Sequence, residues 1–276
     1  GGSFTTAGGI SANYIAKWDG SAWSALGSGI FGYVYALALS GTNLYAGGTF
    51  TTAGGLAASK IARWNGNAWS ALGSGMGGTY PNVHALAVSG TNLYAGGAFT
   101  NAGGIPAKYI ARWNGSGWSA LGSGVDGSVK ALAVNGDTLY AGGYFTNAGG
   151  VLVNRIAKWN GSTWSALGPG MGNTVIALAV SGNSLYAGGG FTDAGGAPAN
   201  YIAKWDGSAW SALGSGMNSS VSVLGSDGAG HLFVGGSFQL AGSKVSPYIA
   251  QANLIPQRGV IQNIGAGGGT VALDCL

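Results

Sequence analysis

Few residues in this chain could do chemistry, and their types and spacing suit binding better than catalysis. Of 276 residues, eleven are Lys or Arg, seven are acidic, two are His and one is Cys. All the acids are Asp; there is no Glu. Asp19 and Asp206 each precede Gly at a place where Asn65, Asn114 and Asn160 stand elsewhere, so they read as turn residues. Asp137 and Asp227 fall in short turns as well, which leaves Asp126 and Asp193 isolated in longer loops. Glycoside hydrolysis needs two facing carboxylates, and no such pair is visible. A metal centre needs several converging ligands, and His84, His231 and Cys275 are scattered. Gly265-Ala-Gly-Gly-Gly lacks the Lys-Ser/Thr of a phosphate loop. These residues predict a protein that is not an enzyme, with no cofactor and no metal.

Composition excludes further classes. A net charge of +4 rests on few cations with no cluster, so the basic footprint of a nucleic-acid binder is missing. With 46% apolar residues and ten Trp the chain is not a disordered polymer. Its 57 Gly do not fall at every third position, which rules out collagen. No run of eighteen apolar residues exists, so no membrane insertion is expected. A lone Cys275 permits no intrachain disulfide. Gly1 stands inside a repeat, so the chain reads as a mature or trimmed fragment, and a leader's absence is uninformative.

The elements that must position any site come from repetition. Gly-Gly doublets followed by x-Phe occur at Gly1, Gly47, Gly96, Gly142, Gly188 and Gly235, spaced by 46, 49, 46, 46 and 47 residues. Each is followed by the same text: Ile61-Ala-Arg-Trp-Asn-Gly, then Trp69-Ser-Ala-Leu-Gly, then Val83-His-Ala-Leu-Ala-Val, then Leu93-Tyr-Ala-Gly-Gly. These are four strand-length segments per repeat, bounded by turn residues and without helical periodicity. Four strands per ~45 residues mark a propeller blade. The predicted fold is therefore all-β: one six-bladed β-propeller of four-stranded antiparallel blades spanning residues 1–276.

Leu-Tyr-Ala-Gly-Gly-x-Phe, a loop, a second strand and then a Trp resemble the kelch-type blade. The central domain of galactose oxidase is built similarly. The resemblance covers about 250 residues and implies strands named A, innermost, to D, outermost. It places A at Val34–Leu39, B at Leu44–Phe50, C at Ile61–Trp64 and D at Trp69–Leu72. Kelch strand C and its loops usually carry charge, whereas here they are mostly small. A copper–radical site like that of galactose oxidase needs two His and a Tyr–Cys pair together, which these residues do not supply.

Physical reasoning on the same text is independent of that resemblance. Doublet glycines allow close approach of neighbouring blades. Trp18, Trp64, Trp113, Trp159 and Trp205 end strand C, while Trp23, Trp69, Trp118, Trp164 and Trp210 begin strand D. They read as packing between blades, with sugar stacking as the alternative. Asx-Gly pairs between C and D predict hairpin turns. Lys17, Arg63, Arg112, Lys158 and Lys204 precede the strand-C Trp, with Gln251 in that slot of the sixth repeat. They read as stems lying on apolar neighbours with heads in water, or else as a basic ring for an acidic polymer.

Closure requires the ends to meet. The first repeat supplies no strand A; the sixth supplies A (Val221–Leu224), B (Leu232–Phe238) and C (Tyr248–Asn253). Residues 259–276 are expected to provide closing strands, with Thr270–Leu276 pairing to strand B of the first blade. The rival reading starts another domain there.

The A–B and C–D connections are short and uniform, whereas the B–C and D–A loops differ between repeats, so binding is expected on the B–C/D–A face. One strand-A slot varies freely: Tyr35, His84, Lys130, Ile176 and Ser222. The loops also carry Ile30, Phe31, Tyr33, Met76, Tyr80, Ile105, Val151, Leu152, Met171 and Met217. Gathered on one face, such residues predict a contact surface, unless they fold down onto the loops' own aromatics. The candidate binding residues are Phe31, Tyr33, Tyr35, Tyr80, His84, Lys130 and Ser222. The expected function is a non-catalytic interaction or scaffold module that binds protein partners or copies of itself. The alternative is a lectin-like, carbohydrate-binding module. Low charge and Thr/Ser/Gly-rich loops favour a bacterial protein that is extracellular or at the cell surface.

Overall fold

In the segments Val-x-Ala-Leu-Ala-Val and Asn-Leu-Tyr-Ala-Gly-Gly, residues alternate sides and end in turns, a pattern that suits short antiparallel strands. The computed structural model describes residues 1–254 together with the strands Ile261–Gln262 and Thr270–Val271. Every regular element among the described residues is a strand. The chain divides into two compact units, Gly1–Leu132 and Ala133–Leu276.

In the first unit, Val34–Ser40, Asn43–Gly48, Ile61–Trp64 and Trp69–Ala71 form one four-stranded antiparallel sheet in chain order. Val83–Ser89, Asn92–Gly97, Ile110–Trp113 and Trp118–Ala120 form another. The second unit repeats the pattern with Val175–Ser181, Ser184–Gly189, Ile202–Trp205 and Trp210–Ala212. The order A-B-C-D is that of a propeller blade. Two sheets are shorter. Val221–Ser226, His231–Gly236 and Ile249–Asn253 make three strands, and Ala16–Trp18 with Trp23–Ala25 make two.

The glycine doublet is sterically compulsory. A Cβ on Gly47 would come within 2.5 Å of Val83 Cγ1, on strand A of the following sheet, and Gly96 meets Val129 at the same distance. The second glycine leaves no room either: a Cβ on Gly48 would overlap the carbonyl oxygen of Tyr33, and one on Gly97 that of Asn82. The reason is space rather than an unusual dihedral. Phe50, Phe99, Phe145, Phe191 and Phe238, two residues beyond their doublets, are completely buried and anchor the cores of five of the six repeats, whereas Phe4 of the first is half-buried.

Tryptophan joins successive repeats as expected. Trp69 Nε1–H donates to the Leu26 carbonyl at 2.8 Å and Trp118 Nε1–H to that of Leu72 at 2.9 Å; in the second unit Trp210 reaches Leu167 at 2.8 Å. A buried indole N–H that finds a partner avoids the cost of desolvation without compensation. The strand-C and strand-D Trp residues face each other in register, with ring centroids 5.3–5.5 Å apart. In the first repeat, however, Trp18 and Trp23 are exposed.

The turn between these Trp residues uses its Asx differently from a φ > 0 residue. Only the Gly has positive φ, for instance 101° at Gly66, and Asn65 Oδ1 accepts from the backbone N–H groups of Asn67 and Ala68. The same hydrogen bonds, from Ala22 and Ser21, hold Asp19 down at about 2.

Two further expectations are corrected. Thr270–Val271 pairs with Ile261–Gln262, not with the first repeat; residues 272–276 lie outside the described residues. Nor do all the apolar loop residues form a contact surface. The B–C loops fold into two-residue hairpins, such as Thr52–Ala53 with Leu56–Ala57, and the D–A segments join them: Ile30–Phe31 pairs with Thr52–Ala53, and Met76–Gly77 with Asn101–Ala102. This lacing buries Ile30, Met76, Met171 and Met217.

Steric coupling at the doublet is testable. Gly47→Ala is expected to lower stability by ~1–3 kcal/mol through overpacking. Adding Val83→Ala should cost less than the sum of the two single changes, because it vacates the space the new methyl needs. Additive denaturation midpoints would disprove the contact. Gly115→Val isolates the other role of glycine. Gly115 has φ 99°, and a Cβ placed on it would meet no atom within 4 Å. The loss of ~1–2 kcal/mol expected in chemical denaturation therefore comes from the dihedral alone.

Candidate functional site

Strand A carries a β-bulge just after its first residue. Register slips between Val34 and Ala36, Val83 and Ala85, Val175 and Ala177, and Val221 and Val223. The residues left over are Tyr35, His84, Ile176 and Ser222, which belong to the freely varying slot. A bulged residue has no cross-strand partner and escapes the packing rules of the ladder, so its type is free to change.

In the first unit these bulges assemble a row of rings. Tyr35 stacks on His84 with centroids 5.6 Å apart and planes 22° from parallel. Tyr33 stacks on Tyr35 at 6.4 Å and 20°, and Tyr14 meets Tyr33 edge-on at 6.0 Å and 73°. At the other end, Lys130 Nζ lies 2.9 Å from His84 Nε2. Four of the seven candidate residues, Tyr33, Tyr35, His84 and Lys130, therefore stand in one continuous group. A hollow of about 320 Å³ adjoins it, bounded by Gly2, Ser3, Tyr33, Val34 and Tyr35.

The electrostatics of the row follow from burial. Desolvation lowers His84 to about 4, and the Lys130 charge adds to the effect. Burial also lowers the Lys130 ammonium from its ordinary value. At neutral pH the imidazole is uncharged, with Nε2 accepting a hydrogen bond donated by Lys130. Stacked rings ending in a cation can hold a flat or apolar group and orient a polar one.

Phe31 and Tyr80 are separate features of the same unit. Phe31 projects from the pairing of Ile30–Phe31 with Thr52–Ala53 and is 61% exposed. Tyr80, in the loop lengthened by three residues, is 85% exposed. Ser222 lies in the second unit, exposed at its bulge. His231 Nδ1 and Asp227 Oδ2 are hydrogen-bonded to each other four residues apart across an exposed turn. Among the described residues, no three His, Cys, Asp or Glu side chains gather to hold a metal; Cys275 is outside them.

Sequence reasoning alone does not place Tyr14 in the group. It sits in a column with Lys60, Tyr109, Arg155, Tyr201 and Tyr248, each at φ between 59° and 72°. In each, the backbone N–H donates to the carbonyl of the repeat's Phe, as Tyr14 does to Phe4, and the carbonyl accepts from the doublet's second glycine, as Tyr14 does from Gly2. The column is visible as a repeat position, but nothing in the residue types marks a left-handed backbone.

No protein-family model matches the chain, and no curated protein is similar to it in sequence. Solved structures do share its fold. One is the computationally designed Ika8 protein, 15% identical, with a TM-score of 0.53 over 86% of this chain and 70% of that one. Another is a chain of the Mitotic Checkpoint Complex, 16% identical, with a TM-score of 0.54 over 85% of this chain and 76% of that one. At such identity the likeness is one of fold alone. Among the described residues, no helix is long and apolar enough to cross a membrane.

The His84 environment has a pH signature. Its folded value lies below the ordinary 6.5, so the unfolded chain binds the proton first, and stability falls as pH drops from about 6.5 towards 4. An NMR titration should find the His84 imidazole changing near pH 4, and Lys130→Met should raise that midpoint, though not to 6.5, because burial is the larger cause. A wild-type midpoint near 6.5 would mean the row is open to water.

Proposed function

We propose that this chain is a non-catalytic interaction module of kelch type, secreted or displayed at a cell surface, which docks protein partners or copies of itself through its B–C/D–A loops. We also propose that its six repeats are the six blades of one closed propeller. The observation that carries the functional reading is a contrast within single loops. Ile30 and Met76 are buried by strand pairing, while Phe31 and Tyr80 beside them stay in water. A loop that can bury its apolar residues yet leaves a Phe and a Tyr exposed presents aromatic anchors of the kind that dominate protein interfaces.

A second reading, a carbohydrate-binding module, draws on the stacked Tyr33 and Tyr35 beside the hollow of about 320 Å³. Aromatic faces accept the apolar face of a sugar ring, and Lys130 supplies a polar contact at the end of the row.

Two variants separate these readings. Under the docking reading, Phe31→Ser with Tyr80→Ser keeps the circular dichroism and melting temperature but abolishes self-association in analytical ultracentrifugation or capture of a partner. Under the carbohydrate reading, that variant assembles normally, and Tyr35→Ala or His84→Ala removes binding on a glycan array. If both variants keep every interaction of the parent, the loop face is not the binding face.

A further inference from the structure

Near-identical repeats supply their own standard, and two departures from it fall on the loops of the third repeat. The first is a single residue. One B–C position holds Asn13, Ser59, Lys108, Asn154, Asn200 and Pro247 in turn. Asn13 Nδ2–H donates to the Ser28 carbonyl at 3.2 Å, Asn154 to that of Pro169 at 2.9 Å and Asn200 to that of Ser215 at 3.2 Å. Ser59 Oγ–H donates to the Met76 carbonyl at 2.9 Å. Each side chain ties its B–C loop to the D–A segment that follows. Lys108 keeps the main-chain part of that tie, its carbonyl accepting from Val125 N–H at 3.3 Å, but the residue is exposed. The second departure is the loop lengthened by three residues, which carries Tyr80 at 85% exposure.

Both departures belong to one small patch. Met76–Gly77, from which the long loop leaves, pairs with Asn101–Ala102, which in turn pairs with Ile105–Pro106, just before Lys108. Gly78 continues over that hairpin, where a Cβ would come 3.0 Å from Thr100 Oγ1. Ile105 is exposed. The patch thus offers an aromatic ring, an aliphatic side chain and an ammonium, and local rules are broken chiefly at functional sites. Charge sets the partner's chemistry. The first unit holds six Lys and Arg against two Asp, whereas residues 133–276 hold five against five, so the net +4 lies in the first unit. On its loops and strand-A bulges Lys60, Lys108 and Lys130 stand against Asp126, while Asp19 is tied into a C–D turn.

We propose that this patch docks an acidic polypeptide segment carrying an apolar residue, which seats on Tyr80 and Ile105 while a carboxylate meets Lys108. The proposal rests on the loop-face docking reading and names that partner's chemistry. Aromatic anchors supply contact energy, and complementary charge supplies selectivity and speed of encounter. An anionic bilayer fits less well, because electrostatic lipid binding takes a cluster of about four to eight cations. A second copy also fits less well. It brings the same net positive charge, and its turn acids Asp19, Asp206 and Asp227 already accept hydrogen bonds within their own turns.

The probe is a displayed library of random dodecapeptides, panned on the intact protein at low salt. Enriched peptides should hold more Asp and Glu than the starting library, with Leu, Phe or Trp beside them. A synthetic peptide from that pool should bind about tenfold more weakly to Tyr80→Ser. It should bind about fivefold more weakly to Lys108→Asn, which restores the residue type of the other loops, and again in about 0.5 M NaCl, where exposed charges are screened. Should Lys108→Asn shift the melting temperature, Lys108→Met on the same peptide decides. A pool no more acidic than the library, or no enrichment, overturns the proposal. So does binding that Tyr80→Ser removes but Lys108→Asn and salt leave unchanged; the loop face then still docks a partner, and only the acidity is wrong. Binding that survives Phe31→Ser with Tyr80→Ser and Lys108→Asn alike overturns both readings. Phosphatidylserine vesicles that compete with the peptide for Lys108 would give the patch to a membrane, and a dimer that Lys108→Asn disperses would give it to a second copy; either result overturns the proposal.

Discussion

The contact between a missing side chain and a valine is the constraint on which the rest depends. Each repeat ends strand B with two glycines, and the first is the only residue that lets the next repeat's Val approach its backbone, as Val83 approaches Gly47 and Val129 approaches Gly96. That close approach brings the Leu two residues beyond the bulge onto the preceding strand, which is why Leu86 lies against Gly47. It also sets the spacing at which the strand-D Trp can reach the carbonyl of the preceding repeat's Leu, as in Trp69 to Leu26. A methyl on the glycine would push these contacts apart together, because close-packed interiors transmit strain rather than absorb it.

The second glycine links that packing to the candidate site. Its missing Cβ leaves room for the carbonyl of the residue before strand A, Tyr33 or Asn82, and the strand then bulges at its second residue. The bulge frees that residue from cross-strand pairing and turns it into a position where Tyr, His, Ile and Ser all occur. Thus one rigid, nearly invariant contact produces, a few residues away, the place where residue type can change without cost to the fold. The row from Tyr14 to Lys130 uses that freedom.

Burial then decides the chemistry of the row. The row holds an uncharged imidazole beside an ammonium. What it offers is a surface of stacked rings with one cation, suited to recognition. The exposed Phe31 and Tyr80 extend the same logic into loops whose other apolar residues are tied down by short strand pairings.

The period of the Gly-Gly-x-Phe text, its four strand-length segments and the alternation within them were enough to determine an all-β repeat fold and the sheet order. Local patterning controls them, because side chains on a strand alternate with period two and turns need glycine. The free variation of Tyr35, His84, Lys130, Ile176 and Ser222 also marked the candidate slot in the text alone. Its cause did not: a bulge depends on how two strands register, which no single segment records. Nor could residue types show that Ile30 and Met76 go inward while Phe31 and Tyr80 stay out, since pairing between the D–A and B–C loops joins residues more than twenty positions apart. Tyr14 entered the ring row for the same reason, through a left-handed backbone fixed by bonds to Phe4 and Gly2. Composition and period determined the strands; only the tertiary structure, through steric contact across repeats, decided which side chains meet.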